Sequence, residues 1–365
     1  RTFRLQPVVR AEPVRQARRE DDPGMTAALL ELGFEPARPT PEHLEDTVLP
    51  SGAHKLVMDR RAMSTRVSVA AIHHSRHRLE DAAGRAFEEM DRLIGLLNRF
   101  DSSSAVGVLN TEGRLSGPPP ELVALLERSA SVFEASGGAF DVTVQPLVDL
   151  LHGSPSLADG EPVDSVAWRE ALERVGADAV RVSAGNVSLD RDGMGVTLDG
   201  IAKGYIVDAM AAVLEAHGID RFLIDAGGDI RTSGLREDGE GWMIAVRDPR
   251  HGGILPAQLR LTDGAVATSG GYEARYDPDG SWHHIVSSRS GRSPTDALSV
   301  TVAGPNVYAS DALATAALLM SPREGVRFID SLPGFECMVI DAGGRMALSS
   351  GWTELTITSH EEGVR

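Results

Sequence analysis

Three short stretches carry side chains that could act together on a polar substrate. In "LDGIAKG", Asp199, Gly200, Lys203 and Gly204 stand between an apolar run and an amphipathic one. Glycines let the backbone approach a ligand closely, and a lysine beside a helix start delivers a compact positive charge. Carbonyls near Gly200 could ligate a hard cation while the amides of the helix start face an anion. The plain alternative is a tight strand-to-helix turn with a solvated lysine. In "YASDALATAALLM", Asp311 and Thr315 lie four apart, so one helix face presents a carboxylate and a hydroxyl together. Oxygen-only donors suit Mg2+ or Ca2+ rather than zinc. Equally, Asp311 could serve the first turn of its helix and Thr315 bond back onto the backbone. In "SWHHIVSSRSGRSP", one of two adjacent histidines could act as a general base near neutral pH, or both could sit at the surface beside a turn.

Two glycine-dense segments, "DAGGDIRTSG" and "GAVATSGGYE", read as strand ends whose amides could line a phosphate path, or as ordinary turns. In "SGGAFDVTVQPLV", Gly137 and Gly138 stop a helix and Phe140 and Asp141 enter an extended run. The fingerprints Gly-x-Gly-x-x-Gly before a helix, Gly-x-x-x-x-Gly-Lys-Ser/Thr, His-Glu-x-x-His and Gly-x-Ser-x-Gly do not occur. The net charge of −17 argues against a nucleic-acid partner, because phosphate recognition leaves a basic footprint. An anionic substrate therefore needs a local positive device: a metal ion, a few cations or helix amides. The single cysteine, Cys337, excludes an internal disulfide and a multi-cysteine metal cage, and its strand-like surroundings suit a buried thiol. No stretch approaches the roughly 18 apolar residues of a membrane helix.

The elements that must position these groups follow from spacing. Leu79, Ala83, Ala86, Met90, Leu93 and Leu97 mark one face of a long helix; "PPPELVALLERSASVFEASGG" gives a second, and "AKGYIVDAMAAVLEAHG" a third that ends at Gly218. A fourth starts near Ser310. Alternating segments, "HHIVSS" and the run before Gly200 among them, read as strands. Strands and helices do not alternate regularly, which predicts an α+β fold with antiparallel sheets packed against helices. Residues 1–50, with six arginines in the first nineteen, read as a loosely held arm carrying a short helix at "GMTAALLELGF"; residues 51–365 form the domain, with a loop from Ser154 to Asp164. The first residues lack the apolar core of a secretory signal.

Taken in order, "RAMSTRVSV", "NRFDSSSAVGVLN", "SGGAFDVTVQPLVDL", "LDGIAKGYIVDAM", "FLIDAGGDIRTSG", "GAVATSGGYE", "HHIVSSRSGRSP" and "VYASDALATAALLM" resemble the ApbE family of FAD:protein FMN transferases, from about Lys55 onward. The resemblance implies Mg2+-dependent cleavage of FAD, transfer of FMN to a threonine or serine of a partner flavoprotein, and release of AMP. It leaves two alternatives: an FAD pyrophosphatase that yields FMN and AMP, or a carrier that keeps FAD intact. It also implies a bacterial periplasmic or envelope location, with a cytoplasmic one as the alternative. Matched by position, Met63, Phe100, Gly138, Ala139, Phe140, Asp141, Lys203 and Ile285 would contact FAD. Phe100 stands where relatives usually have tyrosine. Gly200 through its carbonyl, Asp311 and Thr315 would hold Mg2+, and His284 would deprotonate the acceptor. Two departures stand out. Thr197 replaces an aspartate of the family pattern, with Asp199 two residues later as the nearby carboxylate for catalysis and binding. Val286, Ser287 and Ser288 follow where relatives often carry Ile-Asp-Pro.

Overall fold

In the computed structural model, residues 43–154, 157, 164–183, 185–250 and 255–357 are described. They begin with an antiparallel meander, β1 (His43–Val48), β2 (His54–Ala62) and β3 (Thr65–His73). β1 lies inside the stretch read as the arm; the helix expected at "GMTAALLELGF" lies outside the described residues. Alternation along β2 and β3 turns Leu56, Met58, Val67, Val69 and Ala71 toward one core. Ala62 pairs with Thr65, so β2 and β3 are joined by Met63 and Ser64 alone, both with positive φ (51° and 59°). A two-residue turn that matches strand twist demands this conformation, which residues with a Cβ adopt at a cost.

The chain continues through α1 (Arg76–Leu97), α2 (Ala105–Glu112), β4 (Arg114–Ser116), α3 (Pro120–Ala135), α4 (Gln145–His152), α5 (Ser165–Glu173), β5 (Val180–Ser183) and β6 (Asn186–Leu189). Then come α6 (Ala202–Ala216), β7 (Phe222–Ala226), β8 (Ile230–Ser233), β9 (Trp242–Val246), β10 (Ala257–Leu261), β11 (Gly264–Gly270) and β12 (Ala297–Gly304). α7 (Val307–Leu318), α8 (Pro322–Asp330), β13 (Glu336–Asp341), β14 (Met346–Leu348) and α9 (Trp352–Leu355) complete it. Among the described residues nine strands form one sheet in the order β1-β2-β3-β7-β8-β11-β12-β13-β14, with neighbours antiparallel throughout. α1 and α6 bury Leu79, Met90, Ile206 and Met210 against β2, β3 and β7, and α7 and α8 bury Leu313, Leu318 and Ile329 against β12 and β13. The β9–β10 ribbon and Trp352 of α9 cover the other face through Ile244, Leu259 and Met338. This is the α+β architecture that the sequence predicts. Cys337 is fully buried in β13, and burial pushes its thiol up to about 12, so it is an inert core residue.

Three local expectations are corrected. Beyond Phe140 the chain does not run extended: Asp141 accepts from the Thr143 amide (2.8 Å) and hydroxyl (2.6 Å), capping a 3-10 turn that leads into α4, whose entry carries Pro146. The run before Gly200 is not a strand. The Asn110 side chain grips both backbone groups of Val196 (2.7 and 2.9 Å), standing in for a neighbouring strand. "HHIVSS" is likewise irregular, since the His283 and Ile285 amides bond to side chains, Ser293 Oγ and His283 Nδ1. α2, α5 and α8 are additional helices, although Ser321 and Glu324 form a legible capping box on α8.

α6 and α7 cross at Gly204, where a Cβ would stand 2.6 Å from the Val307 carbonyl oxygen. Backbone cannot yield as a side-chain tip can, so Gly204→Ala is expected to cost about 1–3 kcal/mol, read as a lower urea midpoint.

Candidate active site

The segment joining β6 to α6 meets α7, the end of β11 and the loop between β11 and β12 in one cleft. Phe140, Asp141, Asp199, Gly200, Lys203, His284, Ile285, Asp311 and Thr315 all line it, together with Thr197, Ser269 and Glu273. Gly138 and Ala139 stand just behind Phe140, outside the lining, and Met63 and Phe100 also lie outside it.

Lys203 sits in the first turn of α6, its Nζ 3.4 Å from a carboxylate oxygen of Asp229, which is 1% exposed. Burial opposes the ammonium, but Asp229, Asp311 and Glu273 outweigh it and hold Lys203 above the ordinary lysine value. Asp229 is pushed well above the usual carboxylate range by burial and then by the Asp311 charge. Asp311 is 5% exposed and rises to about 6, again through burial, with Lys203 and the Gly204 amide pulling the other way. One lysine therefore answers several carboxylates in a desolvated space. That imbalance accommodates a further positive charge.

Oxygen atoms dominate the donors at this point. α6 has Ile201 as its N-cap and gets no cap from it; instead the Gly204 amide donates to Asp311 Oδ2 at 3.0 Å. Thr315 Oγ1 lies 3.1 Å from Ser269 Oγ, and a Cβ on Gly200 would stand 3.2 Å from both Thr315 Oγ1 and the Phe140 ring. Position 200 thus has little room for a side chain. Among the described residues, no three His, Cys, Asp or Glu side chains are grouped to hold a metal. The carboxylate of Asp311 and the hydroxyl of Thr315, both lining the cleft, are of the oxygen chemistry that suits a hard, water-retaining cation such as Mg2+.

The adjacent histidines divide their tasks. His283 is buried, with Nε2 2.9 Å from the Pro294 carbonyl oxygen and Nδ1 accepting from the Ile285 amide. His284 lines the cleft, its Nδ1 without a hydrogen-bond partner among the described residues. Burial, then His283, hold it below the ordinary histidine value, which favours the neutral ring at pH 7.

The two departures from the family pattern have local answers. Thr197 Oγ1 accepts from the Asp199 amide (3.2 Å), and Asp199 itself is engaged by Arg99 (2.9 Å), which also reaches Asp149 (3.3 Å). Asp199 thus lies on the rim, salt-bridged, rather than among the buried carboxylates. Ser288 donates to the Gly138 carbonyl (3.2 Å) and Arg289 to that of Gly137, tying the His284 loop to the 138–141 segment. Phe100 is 70% exposed with the Arg99 guanidinium 4.0 Å over its ring, beside Asp199 on the rim. Met63 occupies the strained β2–β3 turn and packs against the core. Asp141 spends its carboxylate on Thr143. Sequence reasoning missed Asp229, Glu273 and Arg99. A desolvated lysine demands counter-charges, and that demand was the signal for the two acids.

The sequence model of the ApbE family matches residues 63–339. A relative from Treponema pallidum, named FAD:protein FMN transferase, is 33% identical over 287 residues, covering 72% of this chain and 77% of the relative. A protein of the same name from Vibrio cholerae is 29% identical over 277 residues, covering 72% and 82%. Among solved structures, the ApbE protein from Thermotoga maritima superposes with a TM-score of 0.75 at 25% identity, covering 83% of this chain and all of that one. The flavin transferase ApbE from Vibrio cholerae, at 24% identity and a TM-score of 0.72, shares the fold over 83% of this chain and 99% of its own. With the family pattern extending over most of its length and a relative one-third identical, the chain belongs to the ApbE family.

Proposed function

We propose that this chain is an FAD:protein FMN transferase that needs Mg2+, joins FMN through a phosphoester to a threonine or serine of a partner flavoprotein, and releases AMP. The activity is the one its relatives are named for. The observation that carries it is one cleft lined by a charged lysine, an oxygen-only donor set and a neutral histidine.

Gly200 through its carbonyl, Asp311 and Thr315 would hold the cation. Bound there, Mg2+ would supply positive charge against the substrate's diphosphate. Lys203 adds a compact ammonium aimed at the same diphosphate and at the AMP oxygen as charge builds on it. His284 takes the acceptor's hydroxyl proton while that oxygen bonds to the FMN phosphorus. The bond from this phosphorus to the AMP oxygen breaks, and AMP leaves with the electron pair. Phe140 and Ile285 give the cleft apolar walls, Gly138 and Ala139 back them, and Phe100 offers an exposed ring face to a flavin or adenine plane. Asp199, held by Arg99, frames the entrance, and Met63 stands in the β2–β3 turn.

Purified protein with FAD, Mg2+ and an acceptor flavoprotein is expected to add one FMN residue to the acceptor, read by mass spectrometry. Free FMN without adduct would replace transfer by pyrophosphatase activity. Intact FAD under every divalent metal would leave a carrier.

A further inference from the structure

The crossing of α6 and α7 is a mutual exchange of caps. Asp311 of α7 accepts from the Gly204 amide of α6 at 3.0 Å. In return, Asp208 of α6 accepts from the first amides of α7: Val307 at 2.9 and 3.1 Å and Tyr308 at 3.0 Å. Neither helix start could do this alone. Ile201 has no side chain that can cap α6, and the Asn306 side chain reaches only the Ala309 amide (3.1 Å). Asp208 does not line the cleft; it is half-buried in a groove on the other side of the crossing, with Arg128, Tyr205, Arg231 and Tyr308.

We propose that Asp208 is a positioning residue for the cleft: by holding the start of α7 it sets the height of Asp311 and Thr315 against Gly200 and Lys203. The consequence for substrate rests on the function proposed above; the coupling itself does not. The reason is geometric. The Gly204 backbone is in close contact with Val307 and Tyr308, so α7 can move along α6 only if that contact opens. A helix start that loses two capped amides is free to unwind by a turn, and Asp311 is its fifth residue. The two caps therefore open together.

Hydrogen exchange on protein without FAD or metal tests the coupling. In Asp208→Ala, the segment 306–312, which loses its acceptor directly, is expected to exchange faster, and so is 200–206, by about tenfold, although Asp208 bonds no amide there. A role confined to α7 would leave 200–206 at the wild-type rate, and that result overturns the proposal. In parallel, the Mg2+ concentration for half-maximal FAD cleavage is expected to rise about tenfold, with kcat at saturating Mg2+ within threefold of wild type. If the alanine variant does not fold, Asp208→Asn is compared instead: one oxygen remains for both amides, and exchange in both segments should rise two- to threefold. Unchanged exchange in 200–206 overturns the proposal there too. Because exchange is read on the empty protein, a wrong catalytic assignment would not mimic a failed coupling.

Discussion

Asp311→Asn is expected to lower FMN transfer about 100- to 1,000-fold, the scale of losing one source of transition-state charge stabilisation, here the cation that its carboxylate would hold, while leaving the thermal midpoint unchanged or higher. The two effects separate because Asp311 is costly to the fold. It is buried with its ionised form disfavoured, its carboxyl lifted to about 6, beside Asp229 and Glu273. A folded-state value above the unfolded one means that stability is lost as pH rises through it, so at neutral pH an ionised Asp311 opposes folding. Asparagine removes that charge yet keeps an oxygen for the Gly204 amide. The check is a transfer assay beside a melting curve; an activity loss that merely tracks a lower midpoint would show that Asp311 serves the fold and not the chemistry.

The second large effect concerns His284. His284→Gln is expected to slow transfer 100- to 10,000-fold, the range for a lost general base, with FAD affinity within a few-fold of wild type. In the wild type, kcat/KM should fall on acidification with a midpoint below 6.5, because burial holds His284 under its ordinary value and the protonated ring cannot accept a proton. The variant should lack that limb. Both His283 and His284 are depressed, so the unfolded chain binds protons more readily: stability is full above about 6.5 and declines as pH falls toward the depressed values. Rates are therefore read only where circular dichroism shows the fold intact. A wild-type acid limb that persists in the glutamine variant would remove His284 from the base role.

Much of the site can be read from the residues because its spacing is local. Asp311 and Thr315 share a helix face by their separation alone, and Lys203 opens a helix whose apolar face, Ile206, Met210 and Leu214, is buried as its period requires. What escapes is set by distant partners. Asp229 meets Lys203 only because the β7–β8 turn returns beneath α6, and nothing near Asp229 in the chain reveals that. The extended runs expected after Phe140 and before Gly200 fail for a related reason. Side chains of Asp141 and Asn110 satisfy backbone groups that a neighbouring strand would otherwise take. Alternation also suggests a strand at "HHIVSS", but strand pairing needs a partner edge, and Ser293 and His283 take those amides first.

The bond from the Gly204 amide to Asp311 spans 107 residues of chain. During synthesis, the lysine and the glycine-rich turn emerge from the ribosome long before the helix that completes the pocket. Until then the start of α6 in the nascent polypeptide lacks its cap, and the cleft lacks the wall that carries Asp311 and Thr315. If the function proposed above holds, FAD would be engaged only after the helix that starts at Val307 has docked, so its binding would follow assembly of the cleft.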